Sequence, residues 1–424
     1  VPRIVYALAM GVFAMTTSEF MVAGMLPQLA GGLGVSISAI GYLVSAYAVA
    51  MALGGPVISA AMARMSHTRA LAVLLAAFLA GQVLGAVSTG YPVMVVSRLI
   101  TGGAEAAFFG VGMTVALEAV PRQRAARASS VVFGGLMVSS VLGVPLSTYL
   151  AQWAGWRGAF WAVAGLVLLA GAAILLNMPG RGAAEAGTPE PLRTQLDQFR
   201  NRPLWAVYLT SLCYIGALFA ATSYFAPLFT QLSGFSLAMV PVLLTGYGLA
   251  AVIGNAIIGR LADRFPTRVL AIGMGLLGTL LAGLALGASS QVVTLVCALG
   301  MGAVGMPLNS ATIARRMRVA PNGPLINTVG ASMVNVGIAV GPALGGIAID
   351  AGLGLTSPVW VGVGFATLGL ASLLYRANAR TERAPGSAPA GDTANAVDRA
   401  PVPALQSTGG TSTDRTQPVA CRDN

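Results

Sequence analysis

The sequence predicts an all-α polytopic membrane protein of about twelve transmembrane helices in two six-helix halves. Three observations carry that class. A charged fraction of 9% against 56% hydrophobic residues, with a mean hydropathy of +0.78, is too apolar for a soluble chain of 424 residues. The apolar runs are about 18 to 25 residues long, too long for barrel strands, and hydrocarbon offers no water to backbone groups, so such runs cross as helices. Finally, Tyr47 to Arg64 recurs two hundred residues later as Tyr247 to Arg264, with Tyr47/Tyr247, Gly54/Gly254 and Arg64/Arg264 in register, and Gly102/Gly302 keep the same offset. A match that extends across several helices marks a duplicated bundle, with the second copy parallel to the first.

The first bundle is expected over residues 1–178. Its opening run, α1 (4–26), is too long for the apolar core of a signal peptide and has no small-residue cleavage site before the next run, so it is read as an uncleaved span. It contains one acid, Glu19, in the stretch TTSEFMVAGMLP. Next, α2 (39–61) ends at a short loop holding Arg64, and α3 (70–88) follows. The fourth run, α4 (92–118), carries Arg98 and Glu105, seven residues apart and so nearly on one face. It closes at Glu118 beside Pro121 and Arg122, a solvated end charge. Gly143 and Pro145 lie in α5 (128–151), and α6 (158–178) completes the half.

Residues 179–203 turn polar and form a central loop. Within it Leu192, Leu196 and Phe199 share a helical face opposite Arg193, Asp197 and Arg200, the pattern of a small interfacial helix. The second bundle is expected over 204–376. Its first helix, α7 (204–230), is rich in aromatics: Tyr208, Tyr214, Phe219, Tyr224 and Phe225. Then come α8 (237–260), ending in a loop from Gly259 to Arg264, α9 (268–288) and α10 (291–313). Gly300, Gly302 and Gly305 in α10 spell G-x-G-x-x-G, but no strand precedes them and no acid follows about twenty residues on, so dinucleotide binding is excluded. In α11 (325–349), Gly337, Gly341, Gly345 and Gly346 make a smooth face for close packing and Pro342 permits a bend. Asp350 at its end reads as interfacial, and α12 (357–375) closes the bundle. From 377 to 424 the chain is mostly small and polar, too poor in large apolar residues to fold alone, and is expected to be a disordered tail.

All 24 basic residues are arginine, and on this map 22 lie on one side of the membrane, with Arg157 on the other and Arg98 inside a span. The positive-inside rule places the crowded side, both termini and the central loop in the cytoplasm of a cell membrane. The same scatter explains the net charge of +11 without nucleic acid, because the arginines form no single patch. Cys213, Cys297 and Cys421 have no framework or metal spacing, and the lone His67 can complete neither a triad nor a metal site. There is no P-loop, so ATP is excluded as the energy source.

An ionised side chain at a helix centre costs roughly 2.5 to 3.5 kcal/mol, so Glu19, Arg98 and Glu105 each need a reason. A carboxylic acid in apolar surroundings tends to hold its proton toward physiological pH, and a nearby guanidinium opposes this. An Arg98–Glu105 pair that forms in one state and breaks in another would couple protonation to conformation; a static pair would only fix packing. The matching positions of the second half are Ala298 and Gly305, which assigns proton chemistry to the first. Conversely Asp263 follows α8 where the first half has Ala63, so Gly259, Asp263 and Arg264, with Arg64, form the candidate conformational latch; a plain surface ion pair is the alternative. Tyr214, Tyr224, Phe225, Asn309, Asn327 and Asn335 are the candidates for a cavity that suits a compact amphipathic solute.

These features together resemble the major facilitator superfamily, specifically its twelve-helix drug:proton antiporters, over about residues 3 to 376. The matches are the loops after α2 and α8, Arg98 followed by Gly102, and the Gly-Pro element of antiporters at Gly143, Pro145, Gly341, Pro342 and Gly345. TSEFMVAGMLP looks like the bacterial branch that contains chloramphenicol, sugar and nucleoside exporters, and the chain is most similar there to chloramphenicol-resistance permeases. The resemblance implies a major facilitator fold and a monomer that is not an enzyme. It also implies export of a small drug by alternating access, driven by inward proton flow with no cofactor. Ala63 and the abbreviated α5 element depart from the family pattern. Sugar or nucleoside export is the alternative within that fold, and a non-transporting membrane receptor signalling through its tail is the alternative outside it.

Overall fold

A computed structural model describes residues 2–62, 65–121, 124–178, 200, 202–319 and 324–381. Among them there is no strand, and Val1–Asn378 form one compact unit, with Ala379–Asn424 a second. Among the described residues ten helices are long and apolar enough to cross a membrane; one of these, Arg127–Asn177, has the 51 residues that two passes need, and Ser357–Leu373 provides a shorter apolar helix. The helices fall on the expected runs, and the differences lie where proline or glycine interrupts the backbone hydrogen bonds.

The first helix, α1 (Arg3–Gly24), stops at Met25 and a short helix, Leu26–Leu33, continues it with a proline in its first turn and Gly34 at φ 66 as its cap. Then follow α2 (Ile37–Met62), α3 (His67–Ala86) and α4 (Tyr91–Glu118). Next, α5 begins as Ala125–Val138 and passes through a π-turn, Ser139–Gly143, into Val144–Asn177, which breaks at Gly155. With φ at 74 that glycine is in the left-handed region, and α6 is the part beyond it. In the second half α7 runs over Arg202–Thr222, breaks near Tyr224, and resumes as Phe225–Pro227 and a π-turn, Leu228–Leu232. Then come α8 (Val240–Arg264) and α9 (Pro266–Leu286), while α10 divides into Gln291–Val304 and Leu308–Val319 around Gly305 and Pro307. Last are α11 (Pro324–Ala348), ending in the π-turn Ile349–Leu353, and α12 (Ser357–Thr381).

The duplication is preserved in three dimensions. A methyl group added at Gly102 would meet the carbonyl of Tyr47 and the side chain of Ala50; one at Gly302 would meet the carbonyl of Tyr247 and the side chain of Ala250. Thus α2 packs on α4 as α8 packs on α10, through glycines that admit a backbone at close range. Helix α11 touches α7 across a similar seam, Gly341 lying against the backbone of Gly216, and it also runs beside α2, where Ser332 Oγ donates to the Ala52 carbonyl at 3.2 Å.

Several expectations fall outside the described residues: Arg64, the interfacial helix that carries Leu192, Leu196 and Phe199, the tail beyond 381 and the side chain of Asn327. His67 does have an acidic partner, Glu118, at 3.3 Å, at the end of the bundle that carries the arginine loops; both are well exposed, so the pair contributes little. At the opposite end Asp350 is exposed but bonded: one carboxylate oxygen accepts from Ser38 Oγ and the other from the Tyr42 hydroxyl at 2.9 Å, joining the end of α11 to the start of α2.

Candidate functional site

Residues Thr16, Thr17, Ser18 and Glu19 occupy one turn of α1, so they point in four directions and tie that helix to its neighbours. Thr17 Oγ1 lies 3.0 Å from Ser139 Oγ in the π-turn of α5, and Gly143 of the same turn packs against Thr17. Ser18 Oγ donates to Gln82 Oε1 of α3 at 2.8 Å, and Thr16 Oγ1 donates to Glu105 Oε1 of α4 at 3.1 Å. Glu19 faces the space between the two halves.

Arg98 is fully buried, and its charge is met by neutral acceptors: Nη2 donates to the Ser18 carbonyl at 2.7 Å and Nη1 to Ser18 Oγ at 3.1 Å. Its guanidinium lies over the Tyr47 ring, 4.2 Å from the centroid, so a cation–π contact replaces a carboxylate partner. Glu105 takes the Tyr47 hydroxyl on Oε2 and Thr16 on Oε1. Arg98 and Glu105 therefore share a face but form no ion pair in this state; among the described residues the ion pair is that of His67 with Glu118. The static pair, the alternative to a pair that forms in one state and breaks in another, is not present in this structure; Tyr47 contacts both side chains instead.

Beside this cluster is a small, partly open cavity between the two halves. Glu19 is its one carboxylate; Phe20, Phe219, Phe225, Tyr247 and Met306 give it an apolar, aromatic wall. Phe20 stands 5.6 Å from Phe219 and Phe225 meets Tyr247 edge-on at 5.8 Å, pairs that bring α1 to α7 and α7 to α8. Ser140, Thr222 and Ser223 add hydroxyls, and the Ser223 hydroxyl is buried without a hydrogen-bond partner.

Of the expected cavity residues, Phe225 lines it. Tyr214 is instead buried within the second half, and Tyr224 is buried where α7 meets α11 and Gly41 of α2, donating to the Pro342 carbonyl at 2.9 Å; neither borders the cavity. The break in α7 is the reason, since it turns Phe225 inward while Tyr224 packs toward α11. Asn309 is exposed and Asn335 partly so, both away from the cavity wall. Gly259 to Arg264, expected as a loop, form the last turns of α8, and there Arg318 Nη2 donates to the carbonyls of Asp263 at 2.8 Å and Arg264 at 3.2 Å, so a neighbouring arginine reaches the helix end through backbone oxygens. Gly259 has open space where its side chain would be. Pro145 borders a separate apolar groove between α5 and α8, and Gly345 packs against Pro358 and Tyr224.

Sequence reasoning missed Tyr47, Ser18, Gln82, Phe20, Tyr247, Met306 and Ser223. The repeat had already singled out Tyr47 and Tyr247 as residues kept in both copies, which was the available signal. The polar turn at Thr16 to Glu19 in an otherwise apolar helix was another.

The family pattern of the Major Facilitator Superfamily matches residues 8–244 and 233–412. The chain is 34% identical to the chloramphenicol resistance protein of Streptomyces lividans over 361 residues, 85% of this chain and 92% of that protein. It is 33% identical over 378 residues to the inner membrane transport protein YdhP of Escherichia coli (strain K12), 89% of this chain and 96% of the other. Among solved structures, a bacterial homologue of the human lysosomal transporter Spinster, in an inward-facing and unoccupied conformation, superposes with a TM-score of 0.72 at 15% identity. That match covers 89% of this chain and 97% of the other. The nucleoside transporter NupG gives 0.70 at 15% identity, covering 88% and 98%. At such identity these structures speak for the fold alone. With its duplicated bundle and its cavity between the halves, the chain belongs to the Major Facilitator Superfamily of membrane transporters.

Proposed function

We propose that this transporter exports a small, compact amphipathic antibiotic, with chloramphenicol as the first candidate, by alternating access against inward proton flow. The observation that carries the reading is the cavity itself: an aromatic wall with one carboxyl, Glu19, beside the buried Arg98–Tyr47–Glu105 cluster. An apolar pocket with a few hydroxyls suits a solute with one aromatic face and a few polar groups. A sugar or nucleoside would leave many donors and acceptors unpaired against that wall, since neither Asn309 nor Asn335 reaches it. Likeness to a chloramphenicol resistance protein supports the same substrate. The arginine-rich loops, by the positive-inside rule, support an orientation with both ends of the chain in the cytoplasm.

The test is energised uptake of radiolabelled chloramphenicol into everted vesicles, with and without an uncoupler. Uncoupler-sensitive accumulation is the expected result. Absence of any accumulation, with sugars or nucleosides taken up in the same vesicles, would replace the substrate assignment.

Alternating access also requires an end that opens. Asp350 ties α11 to α2 at the end away from the arginine loops, and we expect Asp350→Ala to loosen it. Charge-assisted bonds at an exposed site contribute about 1 kcal/mol, a shift of about fivefold between open and closed populations. Distance distributions between spin labels flanking that mouth should show the longer population growing by about that factor; an unchanged distribution would remove Asp350 from the gate.

A further inference from the structure

We propose that Tyr47 is the positioning residue of the buried charge cluster: one side chain holds Glu105 by its hydroxyl and Arg98 over its ring, and so sets when those two can pair. The proposal rests on the proton-driven reading above. Tyr47 is fully buried and comes from α2, whereas both groups it touches are on α4. Its own backbone carbonyl packs on Gly102, which lies between Arg98 and Glu105 on that helix face. Any slide or rotation of α2 on α4 therefore moves the tyrosine relative to both charges at once. The groups facing Glu105 are Thr16 and Glu19 from α1, Tyr47 from α2 and Arg98 from its own helix; of these, Tyr47 also contacts the guanidinium.

The second half supplies an internal comparison. Tyr247 occupies the same register, and Gly302 packs on its carbonyl in the same way, but Ala298 and Gly305 stand where Arg98 and Glu105 do. With no charges to hold, Tyr247 meets Phe225 and borders the cavity. The packing of α2 on α4 thus needs the glycine and the tyrosine backbone, while the placement of the Tyr47 side chain answers to the two charges.

The test uses the full-length protein in liposomes, with chloramphenicol as probe and two readouts: exchange without a pH gradient, and uphill accumulation driven by one. Tyr47→Phe keeps the ring and removes one hydroxyl. Uphill accumulation should fall about tenfold, the scale of one lost hydrogen bond to a charged group. Exchange should stay within about threefold, because Tyr47 does not border the cavity. Equal loss of both readouts would assign Tyr47 a merely structural part and overturn the proposal; retention of both would overturn it as well. Thermal unfolding of Tyr47→Phe, Glu105→Gln and the double variant gives a cycle that needs no substrate: non-additive shifts are expected, and additive ones would sink the contact. If the wild type moves no chloramphenicol at all, the efflux reading fails by itself and the cycle still decides Tyr47.

Discussion

Replacing Glu19 by glutamine is expected to abolish proton-driven accumulation while leaving the substrate cavity in place. Glutamine matches the volume of the acid and keeps its place in the wall beside Phe20, but it carries no titratable proton. If one proton exchanges for each uncharged substrate, every unit of pH gradient can support about a tenfold substrate gradient, so two units allow about a hundredfold. The wild type should approach that limit and Glu19→Gln should accumulate nothing beyond equilibrium, with drug binding changed by no more than a few-fold. Vesicle uptake across an imposed pH gradient measures the first quantity and equilibrium binding the second. Uphill transport that survives in both Glu19→Gln and Glu105→Gln would end the proton-coupled reading, because among the described residues these are the two carboxyls buried within membrane helices.

The two acids have different surroundings, and on the proton-coupled reading that difference organises the mechanism. Glu19 borders the cavity, so substrate and proton can compete near one carboxyl. Glu105 is bonded by Thr16 and Tyr47 inside the first bundle, with Arg98 nearby, so it responds to how α1, α2 and α4 sit on one another. On that reading the cavity-facing acid would sense occupancy and the buried one helix position, and α1 joins them through Thr16 and Glu19, three residues apart.

The fold was legible because a membrane removes most alternatives: an apolar run of spanning length has to be a helix, and a repeat with constant offset has to stack in the same way twice. Glu19, Arg98 and Glu105 were legible for a related reason, since a charge in hydrocarbon is expensive enough to stand out. The cavity wall was not. Phe225 and Tyr224 are adjacent in sequence and equally aromatic, yet the break in α7 sends one to the cavity and the other to the Pro342 carbonyl, a choice made by backbone geometry. Arg98 shows the same limit: its spacing from Glu105 suggests a pair, and a tyrosine from a different helix takes the place between them.

The seams of the repeat also set an order of tolerance that can be measured. Gly54 and Gly254 hold matching positions, but the residue facing them is Gly103 in the first half and Ala303 in the second. A methyl group at Gly254 would collide with the backbone of Ala303, including its carbonyl, so α8 and α10 would have to separate. At Gly54 the nearest atom is the Gly103 Cα at 3.1 Å, and a small adjustment suffices. Gly275 in α9 has nothing within 4 Å, so there alanine only gains helix propensity. Overpacking typically costs about 1 to 3 kcal/mol, and Gly254→Ala should lie at or above the top of that range because rigid backbone blocks relief. Gly54→Ala should cost about 1 kcal/mol or less and Gly275→Ala should stabilise by about 0.5 kcal/mol. Thermal unfolding of the three variants in one detergent gives the ranking, and Gly254→Leu, which adds a branched chain to the same collision, should not accumulate as folded protein. Equal stability of the Gly54 and Gly254 alanine variants would mean that the two seams do not differ in how closely their backbones approach.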